Sequence, residues 1–150
     1  MDLILWRHAD AQDGMPDMDR ALTDRGRKQA EKVARWLNER LPADSLILVS
    51  PAVRAQQTAA ALGKPYKTVK SIAPGADAAY VLTAAGWPRA SGTVLVVGHQ
   101  PTLGYVASMV LCGKESDFSL KKGALVWLTN RVRGEEQQTV LKAAITPELV

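Results

Sequence analysis

The residues of this chain that could do chemistry follow three short apolar runs. Arg7 and His8 come directly after the first run, Ser50 follows the second run with Arg54 four residues later, and His99 follows the third. A guanidinium carries a permanent charge and donates hydrogen bonds in a planar fork, whereas a neutral imidazole nitrogen is a nucleophile. If folding brings these groups together, they form a pocket for a tetrahedral anion with a nucleophile inside it.

Each of these residues also has an ordinary structural interpretation. An isolated histidine at a strand end is more often hydrogen-bonded within the fold, Arg54 could be a solvated helical arginine, and His99 could be a turn residue before Pro101. The joint placement favours function, because one anion pocket accounts for all of the residues while the structural interpretation needs separate coincidences.

The apolar runs predict buried parallel strands. They span residues 2–6, 45–49 and 93–97 and are rich in Val, Ile and Leu. Because ligands of open parallel sheets bind beyond the carboxyl ends of the strands, the residues after the three runs should lie close together. Residues 67–72 are a candidate for a further short strand, although the alternation of Lys with Val and Ile there is brief.

Four helices are predicted between and after these strands. The longest, residues 23–41, has apolar side chains at three- and four-residue spacing, with Thr23 as its N-cap and Pro42 beyond its end. Shorter helices are predicted over 52–62, over 77–85 with Asp77 as the cap, and over 101–112.

Strand-like runs at 124–129 and 139–145, with a polar turn at 133–135 between them, predict an antiparallel hairpin at the C-terminus. The alternation of strands and helices predicts an α/β fold. It would be a three-layer sandwich with a mostly parallel central sheet and helices on both faces. The chain of 150 residues has the length of one domain, residues 1–150.

Composition excludes several other classes of protein. No apolar run approaches the roughly 18 residues that span a bilayer, and the N-terminus has no signal-peptide pattern, so we expect a cytoplasmic protein without a membrane partner. The formal net charge of +4 suits anionic partners, but the scattered basic residues and 5% aromatic content do not predict nucleic-acid binding. Two histidines and a single cysteine, Cys112, offer no metal-ligand spacing, so we expect neither a metal nor another cofactor and a buried Cys112.

Four segments resemble the motifs of the histidine phosphatase superfamily, also called the phosphoglycerate mutase-like family. Residues 7–9 (Arg-His-Ala) resemble its Arg-His-Gly signature, and residues 50–58 resemble its Ser-Pro-x-x-Arg segment that ends in Gln-Thr. Residues 97–101 resemble the segment with its second histidine, and residues 20–26 resemble its Leu-Thr-x-x-Gly element. The resemblance covers residues 3 to about 105 in the family's order and implies the phosphoglycerate mutase-like fold.

The resemblance implies that His8 is the nucleophile and becomes a phosphohistidine, while Arg7, Arg54 and His99 bind the phosphoryl oxygens. Phosphoryl transfer depends mainly on positioning and on donors aimed at the phosphoryl oxygens, which these side chains can supply. The second ring nitrogen of His8 needs an acceptor that fixes the tautomer, and we expect a backbone carbonyl near the next loop. Ala9 replaces the glycine of the signature, which would be costly if the backbone there required a positive φ.

Further substrate contacts are predicted at Arg20 and Ser50. Many larger members of the superfamily have a carboxylate, inserted between the arginine and the second histidine, that protonates the leaving oxygen. Here that stretch contains one acidic residue, Asp77. The candidate acids are therefore Asp77 and, from the loop after the first strand, Asp19 together with Asp10, Asp13 and Asp17.

A site without a dedicated acid favours substrates whose leaving group is already good, such as a phosphorylated imidazole. The short chain and the Arg-His-x-Asp-Ala sequence at residues 7–11 resemble the bacterial SixA-type phosphohistidine phosphatases. We therefore expect hydrolysis of phosphohistidine on a protein, either a histidine phosphotransfer domain or a phosphocarrier. The alternatives are a small-molecule phosphomonoesterase of the same superfamily and, in another class, a non-catalytic protein that binds a phosphorylated ligand.

Overall fold

A six-stranded sheet lies at the centre of the computed structural model, which describes residues 1–150. The strand order is β3-β2-β4-β1-β5-β6. The first four strands in this order are parallel to one another, while β5 pairs antiparallel with both β1 and β6. The strands are β1 (Asp2–Arg7), β2 (Leu46–Val49), β3 (Lys67–Thr68), β4 (Thr93–Gly98), β5 (Leu125–Arg133) and β6 (Glu136–Ile145).

Helices cover both faces of the sheet, because successive side chains of a strand point to opposite sides. Leu3 and Leu5 pack in one core with α3 and α4, whereas Ile4 and Trp6 pack in a second core with α1 and α2. The predicted three-layer α/β sandwich is therefore confirmed. The helices are α1 (Asp24–Asn38), α2 (Val53–Ala60), α3 (Ala78–Ala85) and α4 (Thr102–Cys112).

Helix α1 begins as its sequence predicts. The Thr23 side chain accepts a hydrogen bond from the Gly26 N–H at 3.0 Å, which satisfies one of the free donors of the first turn. The regular helix ends at Asn38, three residues earlier than predicted, and an irregular turn continues to the buried Leu41.

Three other local predictions need correction. The predicted strand over 67–72 is only two residues long, because β3 pairs with just two residues of β2 and the chain then enters a 3-10 turn over Lys70–Ile72. Asp77 stands at the N-cap position of α3, but its side chain makes no capping hydrogen bond. Cys112 is exposed rather than buried, because it lies in the last turn of α4, beyond the part of the helix that packs on the sheet.

The C-terminal hairpin is present and is longer than predicted. Strand β5 continues to Arg133 and β6 begins at Glu136, with Gly134 in the turn at a φ of +62°. The outer halves of both strands are exposed and polar, so they lack the apolar pattern by which sequence identifies a strand. None of the helices combines the length and the apolar character that crossing a bilayer requires.

Candidate active site

The three strands that precede the predicted site residues are neighbours in the sheet. Strand β4 lies between β1 and β2 and is parallel to both, with Arg7 in register with Gly98 and Val49 in register with Val97. The residues that follow the three strands therefore emerge at one edge of the sheet, at its carboxyl end. A crevice at this edge is where open α/β sheets bind ligands.

The hydrogen bonds of His8 fix which ring nitrogen carries the proton. Its Nδ1 lies 2.8 Å from the carbonyl oxygen of Ala9, which can only accept. Its Nε2 lies 3.3 Å from the Nε–H of Arg54, which can only donate. The proton is therefore on Nδ1 and the lone pair on Nε2. This confirms the expectation that a backbone carbonyl orients the ring.

The electrostatic surroundings keep His8 neutral. The side chain is buried, and burial lowers its pKa from 6.5 to about 4. The Ala9 carbonyl favours the protonated ring, but the positive charges of Arg54 and Arg7 add to the lowering. At neutral pH the Nε2 lone pair is therefore available for attack on an electrophile.

His99 lies beside His8, with 5.1 Å between the ring centroids. Its Nε2 is 2.7 Å from the hydroxyl of Ser50, and its Nδ1 is buried without any hydrogen-bond partner. Burial lowers the pKa of His99 to about 3, with further lowering by His8 and Arg54. The free Nδ1 can donate to an anion once it carries a proton.

Ser50, for which we expected a substrate contact, faces His99 instead. Its side chain is fully buried, and its hydroxyl also accepts a hydrogen bond from the Ala52 N–H at 3.2 Å. With both neighbours bound, the hydroxyl serves to orient the imidazole of His99.

The two predicted arginines differ in how far their donors are already used. Arg7 donates from Nη1 to the carbonyl of Leu120 at 2.6 Å, while its Nε is buried without a partner. Arg54 is 4% exposed and donates from Nε to His8 and from Nη1 and Nη2 to Asp17. Arg7 and His99 thus contribute two of the five buried side-chain nitrogen and oxygen atoms that lack a partner.

Asp17 closes over the outer side of Arg54, a contact that sequence reasoning missed. It lies in a 3-10 turn, and its backbone carbonyl and carboxylate lie 2.8 and 3.1 Å from the guanidinium nitrogens of Arg54. Arg20 donates to the other carboxylate oxygen at 3.0 Å and to the carbonyl of Gln12 at 2.7 Å. Hydrogen bonds from Arg20 and Arg54 lower the pKa of Asp17, which therefore remains ionised.

Ala9 fits its position without strain. Its φ is not positive, and its methyl group is buried against Leu22 and Ala30. Thr58 accepts a hydrogen bond from the Ala9 N–H at 3.0 Å and donates to the Arg54 carbonyl at 2.8 Å. Sequence reasoning did not single out Thr58, although it ends the segment that carries Arg54. The bond from Thr58 ties the loop of His8 to α2.

The remaining candidate acids make no hydrogen bond to the residues of this pocket. The side chains of Asp77, Asp19 and Asp13 are exposed and have no hydrogen-bond partner. Asp10 accepts hydrogen bonds from Lys122 at 2.9 Å and from Thr23 at 2.7 Å, and these bonds lower its pKa. No group of three or more His, Cys, Asp or Glu side chains is placed to hold a metal ion.

Comparisons with known proteins agree with the motifs. A family model of the histidine phosphatase superfamily (branch 1) matches residues 3–75. An uncharacterised protein of Picosynechococcus sp. is 35% identical over 139 residues, which cover 85% of this chain and 84% of that protein. The phosphohistidine phosphatase SixA of Escherichia coli is 30% identical over 125 residues, which cover 76% of each chain.

A solved structure of the protein histidine phosphatase SixA complexed with tungstate has the same fold. Its TM-score is 0.79 at 26% identity, and the match covers 99% of both chains. The resemblance drawn from the four sequence segments is thereby confirmed. From its motifs, its fold and these relatives, the chain belongs to the histidine phosphatase superfamily.

Proposed function

We propose that this protein hydrolyses phosphohistidine on another protein, through a phosphorylated His8 intermediate. One observation carries the proposal: His8 Nε2 presents a lone pair beside Arg54, in a pocket where Arg7 Nε and His99 Nδ1 are buried without partners. Buried polar atoms are rarely left unpaired in a folded protein, so an anion is the natural partner for Arg7 Nε and, once it is protonated, for His99 Nδ1. The tungstate bound by the related SixA is a tetrahedral oxyanion of this type.

In the first step His8 attacks the substrate phosphorus. A bond forms between Nε2 of His8 and phosphorus, while the bond from phosphorus to the substrate nitrogen breaks and leaves its electron pair on that nitrogen. Positive charge develops on the His8 ring, and the Ala9 carbonyl, 2.8 Å from Nδ1, stabilises it.

In the second step water attacks the phosphorylated His8. The water oxygen bonds to phosphorus, the electron pair of the broken bond returns to Nε2, and the released proton leaves with phosphate or to solvent. The ring of His8 is then neutral again, as it was before the first step, so the enzyme is ready for another cycle.

The donors around His8 stabilise the charge on the transferring group. Once Nε2 is bonded to phosphorus, it can no longer accept from the Nε–H of Arg54, which then turns to a phosphoryl oxygen. Arg7 Nε and His99 Nδ1 supply further donors, the latter after protonation in the field of the bound dianion. The fold thus already holds Arg54, Arg7 and His99 around the transferring group, so little reorganisation is needed when the charge develops.

The absence of a neutral acid supports phosphohistidine as the substrate. Asp17 is the carboxylate that contacts Arg54. Its hydrogen bonds with Arg20 and Arg54 keep it ionised, so it has no proton to donate. An alkoxide leaves poorly without a proton, whereas an imidazole leaves readily. A phosphomonoester would therefore turn over more slowly here than a phosphorylated imidazole.

The test is covalent labelling together with a substrate panel. Wild-type protein incubated with a radioactively phosphorylated histidine phosphotransfer domain should acquire a transient label that is labile in acid and stable in base. His8→Ala should acquire none, and Asp13→Asn, with an exposed side chain that has no partner, should label like wild type.

Two outcomes would contradict the proposal. Rapid hydrolysis of p-nitrophenyl phosphate with no discharge of any phosphohistidine protein would indicate a phosphomonoesterase. Binding of phosphorylated protein without label or turnover would indicate a binding protein.

A further inference from the structure

A basic groove runs along α1 and includes Arg7 at one end. We call it the α1 groove and define it by its basic side chains: Arg7, Arg25, Lys28, Lys32, Lys121 and Lys122. It consists of two adjoining depressions of about 350 and 230 Å³ that share Arg25, Gln29 and Glu148. Arg7 lines one of the two depressions and also has a buried Nε without a partner, so the groove and the pocket share this residue.

Most of the positive charge in the groove has no carboxylate partner. Lys121 pairs with Glu148 at 2.7 Å and Lys122 with Asp10 at 2.9 Å. Arg25, Lys28 and Lys32 are exposed and form no salt bridge.

The three unpaired side chains lie on one face of α1, because their spacing of three and four residues matches the helical repeat. Seven residues of helix span about 10 Å, so Arg25 to Lys32 forms a straight stripe of about that length.

The groove holds the whole charge excess of the molecule. Six basic and two acidic side chains line it, an excess of four. The complete chain has 19 basic and 15 acidic residues, also an excess of four, so 13 of each remain elsewhere. The groove therefore has a net charge of +4, while the charges of the remaining residues sum to zero.

The lining also indicates what kind of partner fits. Pro147 is the one residue of the groove lining without a polar or charged side chain, so the groove lacks the row of large apolar side chains that binds an apolar helix. We propose, on the basis of the function proposed above, that the α1 groove docks an acidic face of the protein that carries the phosphohistidine. Its carboxylates lie along Arg25, Lys28 and Lys32 while the phosphoryl group enters at Arg7.

Docking of this kind has a distinct kinetic signature. Complementary charge raises the rate of encounter between two proteins, and salt screens the effect over a Debye length of about 8–10 Å. A small substrate that occupies the pocket alone does not reach the stripe on α1. The groove therefore acts on turnover of a phosphorylated protein and not on turnover of a small phosphoramidate.

The test reverses the charge of the three stripe residues. For Arg25→Glu/Lys28→Glu/Lys32→Glu, kcat/KM with a phosphorylated histidine phosphotransfer domain should fall at least about tenfold at low salt. The difference from wild type should shrink between about 50 and 500 mM salt. Hydrolysis of phosphoramidate should be unchanged.

The matched control, Arg89→Glu/Arg131→Glu/Arg133→Glu, makes the same charge change on exposed arginines near the amino end of β1, at the end of the sheet opposite the pocket. It should leave both activities near wild type. An equal fall in both triple variants would overturn the proposal, because net charge and not the groove would then be responsible.

The outcomes separate docking from the function on which it rests. Undiminished turnover of the phosphorylated protein by the stripe variant overturns docking and leaves the proposed function standing. Failure of wild-type protein on the phosphorylated protein overturns both. If the stripe variant loses both activities, Lys28→Glu/Lys32→Glu, farther from Arg7, decides: a loss confined to the protein substrate supports docking, and any other result overturns it.

Discussion

Both imidazoles of the pocket are held neutral by their surroundings until an anion arrives. His8 and His99 are buried beside Arg54 and Arg7, and the pKa values of about 4 and about 3 reflect that burial and the neighbouring charges. A bound phosphoryl dianion would reverse the sign of the local potential. His99 would then gain a proton and become a donor, while Nε2 of His8 would stay unprotonated because it bonds to phosphorus in the proposed reaction.

The titration of the two histidines can be measured directly. The chain has two histidines, so the imidazole region of a proton NMR spectrum should contain two resolvable side chains. Neither should titrate between about pH 8 and about pH 5, because the pKa values lie well below the ordinary value of about 6.5. Added tungstate should raise the midpoint of His99 toward neutrality.

His8→Asn provides the assignment for that experiment and removes one of the two signals. A midpoint near 6.5 for either ring in the unliganded protein would contradict the lowering of its pKa by burial and the neighbouring arginines. A midpoint of His99 that does not respond to tungstate would show that its Nδ1 does not contact the anion.

Asp17 occupies the guanidinium of Arg54, so in the proposed site it would compete with an incoming anion. Its carboxylate lies 3.1 Å from Nη2, so Asp17→Asn removes a negative charge from the anion site while retaining an acceptor oxygen for Arg54. The inhibition constant for inorganic phosphate should fall by roughly threefold, the size of effect that a partly exposed ion pair produces. Competitive inhibition at fixed substrate measures this change.

Asp19→Asn is the matched control for Asp17→Asn, since Asp19 is exposed two residues away and forms no salt bridge. It should leave the inhibition constant unchanged. Weaker binding of phosphate to Asp17→Asn would show that the carboxylate holds Arg54 in place rather than competing for it.

At the residue level, the sequence predicted that the side chains following the parallel strands lie close together. It did not predict the contacts that loop residues make with these side chains. The proximity of His8, His99 and Arg54 could be predicted because the carboxyl ends of neighbouring parallel strands lie together. The contact of Asp17 with Arg54 could not be found in this way, because the 3-10 turn that presents Asp17 has no periodic pattern. The role of Ser50 also depended on a rotamer, which sequence does not specify.

The first turn of α1 approaches the loop after β1 so closely that only glycine fits at residue 26. A Cβ on Gly26 would overlap the carbonyl oxygen of Asp10, which also accepts from the Thr23 N–H at 3.0 Å. Gly26→Ala would favour a helix by itself, so any loss of stability must come from this overlap. We expect the free energy of unfolding to fall by about 1–3 kcal/mol, with a loss of activity because Asp10 lies two residues from His8.

Urea unfolding and phosphoramidate turnover check this expectation. Arg27→Ala, at an exposed position of the same turn, should change the free energy of unfolding by less than about 0.5 kcal/mol. Wild-type stability in Gly26→Ala would mean that helix and loop can separate without cost.

At the level of elements, prediction succeeded where burial imposes a pattern on the sequence. The N-cap at Thr23 and the strand ends before His8 and His99 were correctly located, because both signals are local. Strand β3 and the outer half of the hairpin were poorly predicted. Both lie at the sides of the sheet, where the strands are held by backbone pairing while their side chains are exposed. Their sequences therefore lack the apolar pattern of a buried strand.

At the level of the whole molecule, the sandwich could be predicted but the sheet order and the charge distribution could not. Strand β4 inserts between β1 and β2, although it follows both in the chain. The α1 groove combines Arg7, Lys121 and Lys122 with residues of α1, which are far apart in sequence. A net charge of +4 gave no indication that the excess lies in this groove.

The neutral histidines also make the stability of the whole molecule depend on pH. Their pKa values in the folded protein, about 4 and about 3, lie below the value of about 6.5 expected in the unfolded chain. Between these limits the unfolded chain binds more protons, so the free energy of unfolding falls as the pH falls. The stabilisation is complete above about pH 6.5 and is lost progressively toward pH 4, by up to about 2 kcal/mol per histidine between pH 8 and pH 5.

Urea unfolding at several pH values, followed by circular dichroism, measures this loss. His8→Asn/His99→Asn should remove most of the slope above about pH 5, because the carboxylates with lowered pKa values, such as Asp10 and Asp17, lose their stabilising effect only nearer their unfolded pKa of about 3.9. The comparison uses the slope with pH and not the absolute stability, so any packing defect of the variant cancels. Equal free energies of unfolding for wild type at pH 8 and pH 5 would mean that the rings are protonated as readily in the folded protein as in the unfolded chain, and the neutral nucleophile at His8 would lose its physical basis.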